Sequence, residues 1–456
     1  MKHKEKRDPI ESFEKDSIAS VVIKNSIPAL IAMIMVMVYN LADVFFIGLT
    51  HDDLQVAAVS LASPVFMIFM SLGTLFGVGG TSVISRALGA GKKEYAKKVS
   101  SFCMWGSVAL GILLMAVLWI FMDKITVMLG ANEETFQYAS EYLTIVVGAG
   151  VFSMLSNCFS SIIRTEGAPM KAMTGTVIGN LINLILDPIM ILGFKWGIVG
   201  AAVATVIGNA AATAYYLLYF LSGKSNLSIH PKHFSMKDGI FTGVMAIGIS
   251  ASLVNMLVSV SAIVVNSQLG KYADASMYQA GYGVSSKVIM IITLIGIGIG
   301  SGVQPFLGYC FGAKNKERLT KGIRFSALFA TIACLIVSVL CYVFAPQIVN
   351  VFLTDDTALE CGVHFTRILL TTAWLIGAFG ICQNTLQAIG AATPALLASI
   401  IRQAVIFIPA LFILQAAVGL DGLLWAQPVA DVLSLIVVVL MLVIRIKKSD
   451  FTTVTE

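Results

Sequence analysis

Charged residues are scarce in this sequence, and the common sequence motifs of metal-dependent hydrolysis and nucleotide binding are missing. Asp, Glu, Lys and Arg make up 12% of the 456 residues, and there are five histidines. The sequence has no HExxH, P-loop or strand-bounded GxGxxG motif, and no cluster of paired His and acid residues. It also lacks the large soluble domain that an ATP-driven pump requires. A membrane-embedded enzyme is therefore disfavoured, and no catalytic residue is assigned.

Cysteine is present but not in a pattern that suggests bonding. The seven cysteines include no CxxC pair and lie mostly within apolar runs, which predicts free, buried thiols and no cofactor. Hydrophobic residues, in contrast, make up 57% of the chain, and the mean hydropathy is +0.89. No soluble domain needs so much apolar surface, so the composition predicts a polytopic membrane protein in contact with the lipid bilayer.

The apolar runs predict an all-α protein with twelve membrane-spanning helices. Each run is about 20 residues or more long and is bounded by charges or turn residues. The predicted spans are 20–47, 54–84, 97–121, 138–164, 169–194, 197–222, 239–269, 276–310, 320–344, 361–388, 394–417 and 420–445. The first twenty residues are charged and lack the apolar centre of a cleavable signal peptide, so the first span is expected to be retained.

Lysine and arginine predict how the chain lies in the membrane. They concentrate in alternate loops, such as 92–98 and 314–324, whereas the opposite loops contain only Lys124, Lys195 and Lys271 among many acids. By the positive-inside rule both termini are cytoplasmic, which an even number of spans requires. The basic loops are interpreted as solvated anchors near lipid headgroups, so no nucleic acid is expected as a partner.

The chain repeats itself. The stretch that begins at Gly73 can be laid on the stretch that begins at Gly296, so that Gly73, Gly77, Lys93 and Glu94 fall on Gly296, Gly300, Lys316 and Glu317. We therefore predict two pseudo-symmetric six-helix bundles, related by an axis along the membrane normal. The predicted divisions are a cytoplasmic segment 1–19, a first bundle 20–222, a cytoplasmic linker 223–238, a second bundle 239–446 and a cytoplasmic tail 447–456.

A polar stripe interrupts the fifth span. Thr176, Asn180, Asn183 and Asp187 follow helical spacing and lie on one face, which must contact protein or water because a lipid-facing carboxylate is costly. Asp187 is expected roughly 10 Å from the outer end of its helix at 1.5 Å per residue. Asp43, with Asn40 one turn before it on the first span, and Thr205 on the sixth are expected at about the same depth.

This common depth predicts a site for a small cation. Two carboxylates, an amide oxygen and a hydroxyl are ligands that Na⁺ accepts, and the same set can hold a proton. The predicted cation-binding residues are Asp43, Asn183, Asp187 and Thr205, with Asn40 and Asn180 as neighbours. Pro188 frees the carbonyl of Leu184 and allows a bend there. The alternative is that Asn183 and Asp187 only join neighbouring helices by hydrogen bonds.

Other polar residues in the spans are assigned more general roles. Arg402 and Asp431 fall near mid-membrane on adjacent spans, which favours a neutralising structural pair. Lys287 is either a structural contact or a gate. The residues that could line a drug cavity are Ser153, Met154, Asn157, Lys287, Gln383 and Gln387, and Ser160 and Arg164 continue the run on the fourth span.

The segments 27–28, 43–48, 57–60, 85–90, 167–169, 183–188 and 197–209 together resemble the multidrug and toxic compound extrusion (MATE) family, and more narrowly its bacterial multidrug exporters. The resemblance spans nearly the whole chain. It implies a V-shaped pair of six-helix bundles that exports cationic, often aromatic drugs in exchange for inward Na⁺ or H⁺. Asp43, Asn183, Asp187 and Thr205 match the cation-site motif of one subgroup position by position. Other members use acids on the first and fourth helices of the second bundle, where this chain has Asn255, Asn266, Gln383, Asn384 and Gln387 but no mid-membrane carboxylate.

These observations predict a secondary active multidrug efflux transporter that works by alternating access, as a monomer in the bacterial plasma (inner) membrane. Its expected partners are small-molecule drugs and toxic organic cations, its coupling ion is Na⁺ or H⁺, and export of this kind confers antibiotic resistance. The alternative is a lipid-linked precursor flippase of the same superfamily, although such flippases typically have additional helices and a more cationic cavity. The sequence does not choose between Na⁺ and H⁺.

Overall fold

The computed structural model describes residues 10–50, 52–223, 225–353, 356–449 and 451, and every regular element in them is helical. The parts of the predicted terminal segments at 1–9 and 452–456 lie outside the described residues. The α-helices are α1 (Glu11–Lys15), α2 (Ile18–Gly48), α3 (Asp53–Gly89), α4 (Lys93–Ile120), α5 (Met122–Met128), α6 (Phe136–Gly148), α7 (Gly150–Thr165), α8 (Pro169–Pro188), α9 (Gly197–Leu221), α10 (Ile240–Leu269), α11 (Ala275–Gly312), α12 (Lys316–Val343), α13 (Ala345–Asn350), α14 (Asp356–Ala373), α15 (Leu375–Ala388), α16 (Ala392–Ile400), α17 (Ile408–Val418) and α18 (Leu420–Lys448).

The helices account for the predicted spans. In the described part of the chain, ten helical stretches are long and apolar enough to cross a membrane, and two bent pairs each make one more. The pairs are α6 with α7, bent by 48°, and α14 with α15, bent by 47°. Twelve spans result, and the chain is a multi-pass membrane protein. The bends fall in the fourth span of each half, which the apolar pattern predicted as continuous.

Glycines explain the first of these bends. The break lies at the sequence Gly148-Ala149-Gly150, where backbone freedom is greatest. A side chain on Gly150 would collide with the ring of Phe69 on α3, so the glycine also lets α7 approach α3 closely. We have no comparable account of the second break at Trp374.

Two compact units divide the chain. The first comprises residues up to Lys15 and Ile31–Ile249, and the second comprises Asp16–Leu30 and Ser250–Glu456. These units differ from the predicted bundles at two places. The start of α2, up to Leu30, belongs to the second unit, and the start of α10, up to Ile249, belongs to the first. Close glycine contacts accompany this exchange. In the first unit, a Cβ on Gly79 would collide with the backbone carbonyl of Val244. In the second unit, a Cβ on Gly302 would lie 2.6 Å from the carbonyl of Asn25.

In the first unit, α3 packs on α7 and α8 packs on α9. The α3 contact depends on two glycines of the internal repeat, because a Cβ on Gly73 would lie 2.9 Å from the carbonyl of Met154 and a Cβ on Gly77 would lie 3.0 Å from Ser161. The side chain of Met154 is fully buried in this packing. Small residues at a helix contact allow the backbones of spanning helices to approach.

In the second unit, α11 packs on α14 and α15. Its Gly296 faces the backbone of α15 at Ile376 and Gly377, as Gly73 faces the fourth span of its own half. One core cluster joins α11, α12 and α14 through Val288, Ile292, Cys334 and Leu370. All seven cysteines are free thiols, as predicted, and six of them are buried.

Candidate cation site

A contact between two glycines positions the candidate site. A Cβ on Gly179 of α8 would lie 2.7 Å from the carbonyl oxygen of Gly208 on α9, and a Cβ on Gly208 would lie 2.6 Å from the carbonyl oxygen of Gly179. The two backbones therefore touch at this level. One turn further along α8, the approach brings Asn183 against α9, so that short polar side chains on the two helices can meet.

Three of the four predicted cation-site residues form one hydrogen-bonded group. Asn183 donates through Nδ2 to Asp187 Oδ1 at 3.2 Å and to Thr205 Oγ1 at 3.3 Å. Asp187 has no exposed surface, and Asn183 and Thr205 are buried as well. The hydrogen bond between Asn183 and Asp187 joins residues one turn apart on α8, and that between Asn183 and Thr205 joins α8 to α9.

Three oxygen atoms in this region have no hydrogen-bond partner among the residues that the structure describes. They are Asp43 Oδ1, Asn183 Oδ1 and Asp187 Oδ2, and each is buried. Most buried polar atoms in proteins are hydrogen-bonded, and leaving one unpaired costs about 1–3 kcal/mol. Carboxylate and amide oxygens that together lack donors form the kind of site that a bound monovalent cation or a proton satisfies.

Asp43 reaches this group from α2. Its carboxylate lies near that of Asp187, and the phenol groups of Tyr39 and Tyr142 lie near both carboxylates. Neither tyrosine is among the predicted site residues. Tyr39 could have been found, because it lies one turn before Asp43 on the same helix face. Tyr142 comes from α6 and has no local signal.

The backbone changes form immediately after Asp187. Residues Ile189–Gly193 make a π-helical segment that follows Pro188, and the amide of Phe194 donates to the carbonyl of Ile189 at 2.8 Å. A proline cannot donate the hydrogen bond that an α-helix needs there, and π-helical turns often occur at functional sites. Thus the bend expected at Pro188 takes the form of a wider helical turn.

A cavity of about 150 Å³ adjoins the site in the first unit. Ser153, Asn157, Ser160 and Arg164 line it from α7, and its remaining lining includes Met33, Tyr39, Met70, Thr176, Asn180 and Asn209. Asn180 also has a buried Nδ2 without a partner. The other predicted neighbour, Asn40, is exposed and donates to the carbonyl of Val36 at 2.7 Å.

The remaining candidate residues lie in the second unit. Lys287 places its ammonium 5.2 Å from the ring centre of Phe352. Gln383 donates to Ser399 at 2.7 Å, and Gln387 accepts a hydrogen bond from Gln304 at 3.5 Å. Arg402 forms an ion pair of 2.9 Å with Asp431, whose carboxylate also accepts hydrogen bonds from Gln427 and Thr372.

Comparison with known proteins gives concordant results. The MatE family profile matches residues 28–189 and 250–413. The Multidrug export protein MepA of Staphylococcus aureus (strain MRSA252) is 32% identical over 451 residues, which are 99% of each chain. The protein of the same name from Staphylococcus haemolyticus (strain JCSC1435) is 32% identical over 421 residues and 92% of each chain.

Solved structures show the same fold. An outward-facing conformation of a multidrug resistance MATE family transporter of the MOP superfamily superposes with a TM-score of 0.90 at 24% identity, covering 97% of this chain and 99% of the other. A crystal structure of MATE in complex with MaL6 gives the same values. The family profile covers most of this sequence, and the S. aureus relative matches it from end to end. The chain therefore belongs to the MatE family.

Proposed function

We propose that this protein exports amphipathic and cationic drugs from a bacterial cell in exchange for inward Na⁺ or H⁺. As a MatE family member it is a membrane transporter and not an enzyme. Its relatives from Staphylococcus carry the name Multidrug export protein, which supports drugs as the substrate class. The observation that carries the proposed coupling is the group of three unpaired, buried oxygens on Asp43, Asn183 and Asp187.

The coupling ion would act by neutralising two nearby carboxylates from different helices. With the site empty, the charges of Asp43 and Asp187 repel one another and lack solvent, so α2 and α8 are held apart at this level. A cation or proton that enters from outside would remove the repulsion and bring Asp43 toward Asn183 and Asp187. The π-helical segment next to Asp187 is a place where α8 can adjust with little loss of hydrogen bonding.

Drug and ion need not touch in this mechanism. The cavity beside the site measures about 150 Å³, and drug pockets are usually about 300–1,000 Å³. The cavity must therefore enlarge to accept a drug, and it shares Tyr39 with the surroundings of the carboxylates. A cation that favours the smaller cavity would expel the drug through linkage between two binding equilibria.

The proposal includes the placement of the protein. We place it in the bacterial plasma membrane with both termini in the cytoplasm, as a monomer, because the basic loops alternate along the chain and one chain supplies all the residues of the candidate site. This orientation puts the Asp187 end of α8 toward the outside, where the inward ion gradient supplies the coupling ion.

The test is transport of ethidium into proteoliposomes under separately imposed sodium and pH gradients. We expect one gradient to drive transport in the wild type, and Asp43→Asn and Asp187→Asn to abolish that dependence. Asp123→Asn is the matched control, because this exposed carboxylate on α5 lies away from the site. Full, gradient-dependent transport by Asp187→Asn would show that the proposed coupling is wrong. Selective binding of lipid-linked precursors instead of ethidium would favour the flippase.

A further inference from the structure

A second polar pocket of about 520 Å³ lies at the end of the first unit that the basic loops predict to be cytoplasmic. The C-terminal end of α3, the start of α4 and the residues before α10 form it. Its polar lining includes Arg86, Lys92, Tyr95 and Asp238, and its apolar lining includes Val83 and Ala87. None of these residues belongs to the candidate cation site.

Among the described residues, the hydrogen bonds of the Arg86 guanidinium stay within its own helix. Its Nε donates to the carbonyl of Ser82 at 2.9 Å, and its Nη2 lies 3.5 Å from Ser82 Oγ. Across the described parts of the chain, no carboxylate lies within ion-pair distance of it. The one acid that lines the pocket, Asp238, is 3.8 Å from the ammonium of Lys98. The pocket therefore holds an excess of positive charge.

The second unit has an arginine in the equivalent region, and that arginine has a partner outside its own helix. The offset that lays Gly73 on Gly296 also lays Arg86 on Tyr309 and Tyr95 on Arg318, so the two residue types trade places between the halves. Arg318 donates through Nη2 to the carbonyl of Asp16 at 2.6 Å and covers the ring of Phe306. In the second unit, the backbone just before α2 therefore accepts a hydrogen bond from the arginine guanidinium.

In the first unit a phenol takes over that contact. Tyr95 donates through its hydroxyl to the carbonyl of Asp238 at 3.1 Å, and Asp238 precedes α10 as Asp16 precedes α2. Because Tyr95 donates to the backbone carbonyl before α10, Arg86 is not needed for that contact. The N–H groups of Arg86 that face the pocket can therefore donate to another group. The same duplication has therefore produced a filled position in one unit and an open, cationic pocket in the other.

We propose that this pocket binds the phosphate of an anionic phospholipid headgroup. A guanidinium presents paired donors that match phosphate oxygens, and Lys92 adds a second positive charge. Basic pockets between spanning helices at the cytoplasmic face are suited to such headgroups. The volume accommodates a glycerol phosphate, and Val83 and Ala87 give an apolar wall next to the acyl chains. This inference is independent of the proposed drug export and of the coupling ion.

The test uses the full chain in nanodiscs of phosphatidylcholine that contain a small fraction of phosphatidylglycerol with a photoreactive headgroup. After irradiation, mass spectrometry locates the labelled residues. We expect labels at 83–95 and 238–243, and competition by unlabelled phosphatidylglycerol but not by phosphatidylcholine. Arg86→Gln and Lys92→Gln should each reduce labelling about fivefold, as expected for the loss of one basic contact near a membrane surface.

Controls separate this site from general surface charge. Lys232→Gln removes an exposed lysine of the linker in the same unit and should leave labelling unchanged. Lys92 is exposed, so its variant tests the pocket even if Arg86→Gln fails to fold, and Arg86→Lys should retain part of the labelling. Unchanged labelling in both pocket variants would overturn the proposal. Competition by inorganic phosphate at an equal phosphate concentration would overturn the lipid as the source of the phosphate.

Discussion

Asn183 donates to Asp187 one turn further along α8, at 3.2 Å, and its own carbonyl oxygen remains unpaired. The amide therefore donates to Asp187 and Thr205, while its oxygen accepts no hydrogen bond from any residue that the structure describes. Under the proposed function, this amide would orient the Asp187 carboxylate and supply one ligand to the coupling cation. A hydrogen bond that only joined two helices would not need the free oxygen.

This arrangement predicts the effect of changing Asn183. Asn183→Leu keeps the approximate volume but removes both the ligand and the two donors, so we expect the apparent affinity for the coupling ion to fall about tenfold or more, since hydrogen bonds to charged groups contribute about 1.5–3 kcal/mol. The measurement is the concentration of Na⁺ or H⁺ that gives half-maximal ethidium transport. Asn384→Leu is the control, because Asn384 lies in the second unit and its side-chain amide donates to the carbonyl of Gly380 on its own helix. An equal effect of both variants would contradict the assigned role.

Thr205 allows a finer test of the hydroxyl. Thr205→Ser retains the Oγ that accepts from Asn183, whereas Thr205→Val retains the shape and loses the acceptor. We expect Thr205→Ser to keep near wild-type ion dependence and Thr205→Val to weaken it severalfold, a shift of about 1 kcal/mol. The ion dependence of transport in proteoliposomes measures both variants. If the two behave alike, the hydroxyl does not contribute.

The helix contact at Gly208 should be sensitive to a single methyl group. Gly208→Ala would place a Cβ 2.6 Å from the carbonyl of Gly179 and 3.1 Å from the Cβ of Asn183, so α8 and α9 must separate. Overpacking of this kind costs about 1–3 kcal/mol. We expect a lower Tm in detergent and weaker ion coupling. Gly283→Ala on α11 is the control, since its Cβ would meet nothing within 4 Å. A stable, fully coupled Gly208→Ala protein would show that the contact does not set the site.

Tyr142 tests a residue that only the folded chain brings to the carboxylates. Its phenol lies near both Asp43 and Asp187, and the side chain is buried. Tyr142→Phe removes the hydroxyl with little change in shape, so ion dependence should shift severalfold while the Tm changes little. Tyr215→Phe provides the comparison, because Tyr215 packs near Tyr216 on α9. Indistinguishable transport curves for the two variants would count against a role for Tyr142.

The ion pair of the second unit should contribute to stability and not to ion coupling. Asp431 is buried and Arg402 is 17% exposed, so removal of one partner leaves an uncompensated charge. Arg402→Gln should destabilise the protein by about 3 kcal/mol, and Arg402→Gln with Asp431→Asn should recover part of that loss. Thermal unfolding in detergent measures both. A double variant less stable than the single one would indicate that the carboxylate has another function.

Much of the candidate site could be predicted from local spacing. Asn183 and Asp187 are one helical turn apart, and a carboxylate among apolar residues requires a partner, so a polar face on α8 followed from the sequence alone. The equal depths of Asp43, Asp187 and Thr205 followed from the helix rise. The assignment of these residues as ion ligands stays a prediction that the transport measurements will decide.

Residues without local periodicity could not be found in this way. Tyr142 lies on the fourth span before its bend at Gly148 and Gly150, and a hydropathy pattern does not predict such a bend. The sequence predicted a bend at Pro188 but not the π-helical segment that follows it. The availability of the Arg86 guanidinium depends on the hydrogen bond from Tyr95 to the carbonyl of Asp238. The sequence repeat does not specify that hydrogen bond.

By itself, the sequence determined that the chain crosses the membrane, where its twelve spans lie and that its halves are related, because burial of apolar residues in lipid depends on composition and length. Tertiary structure alone decided which buried polar atoms found partners and which did not. Those outcomes depend on contacts between helices distant in the chain, set by the absence of a side chain at glycines such as Gly179 and Gly208.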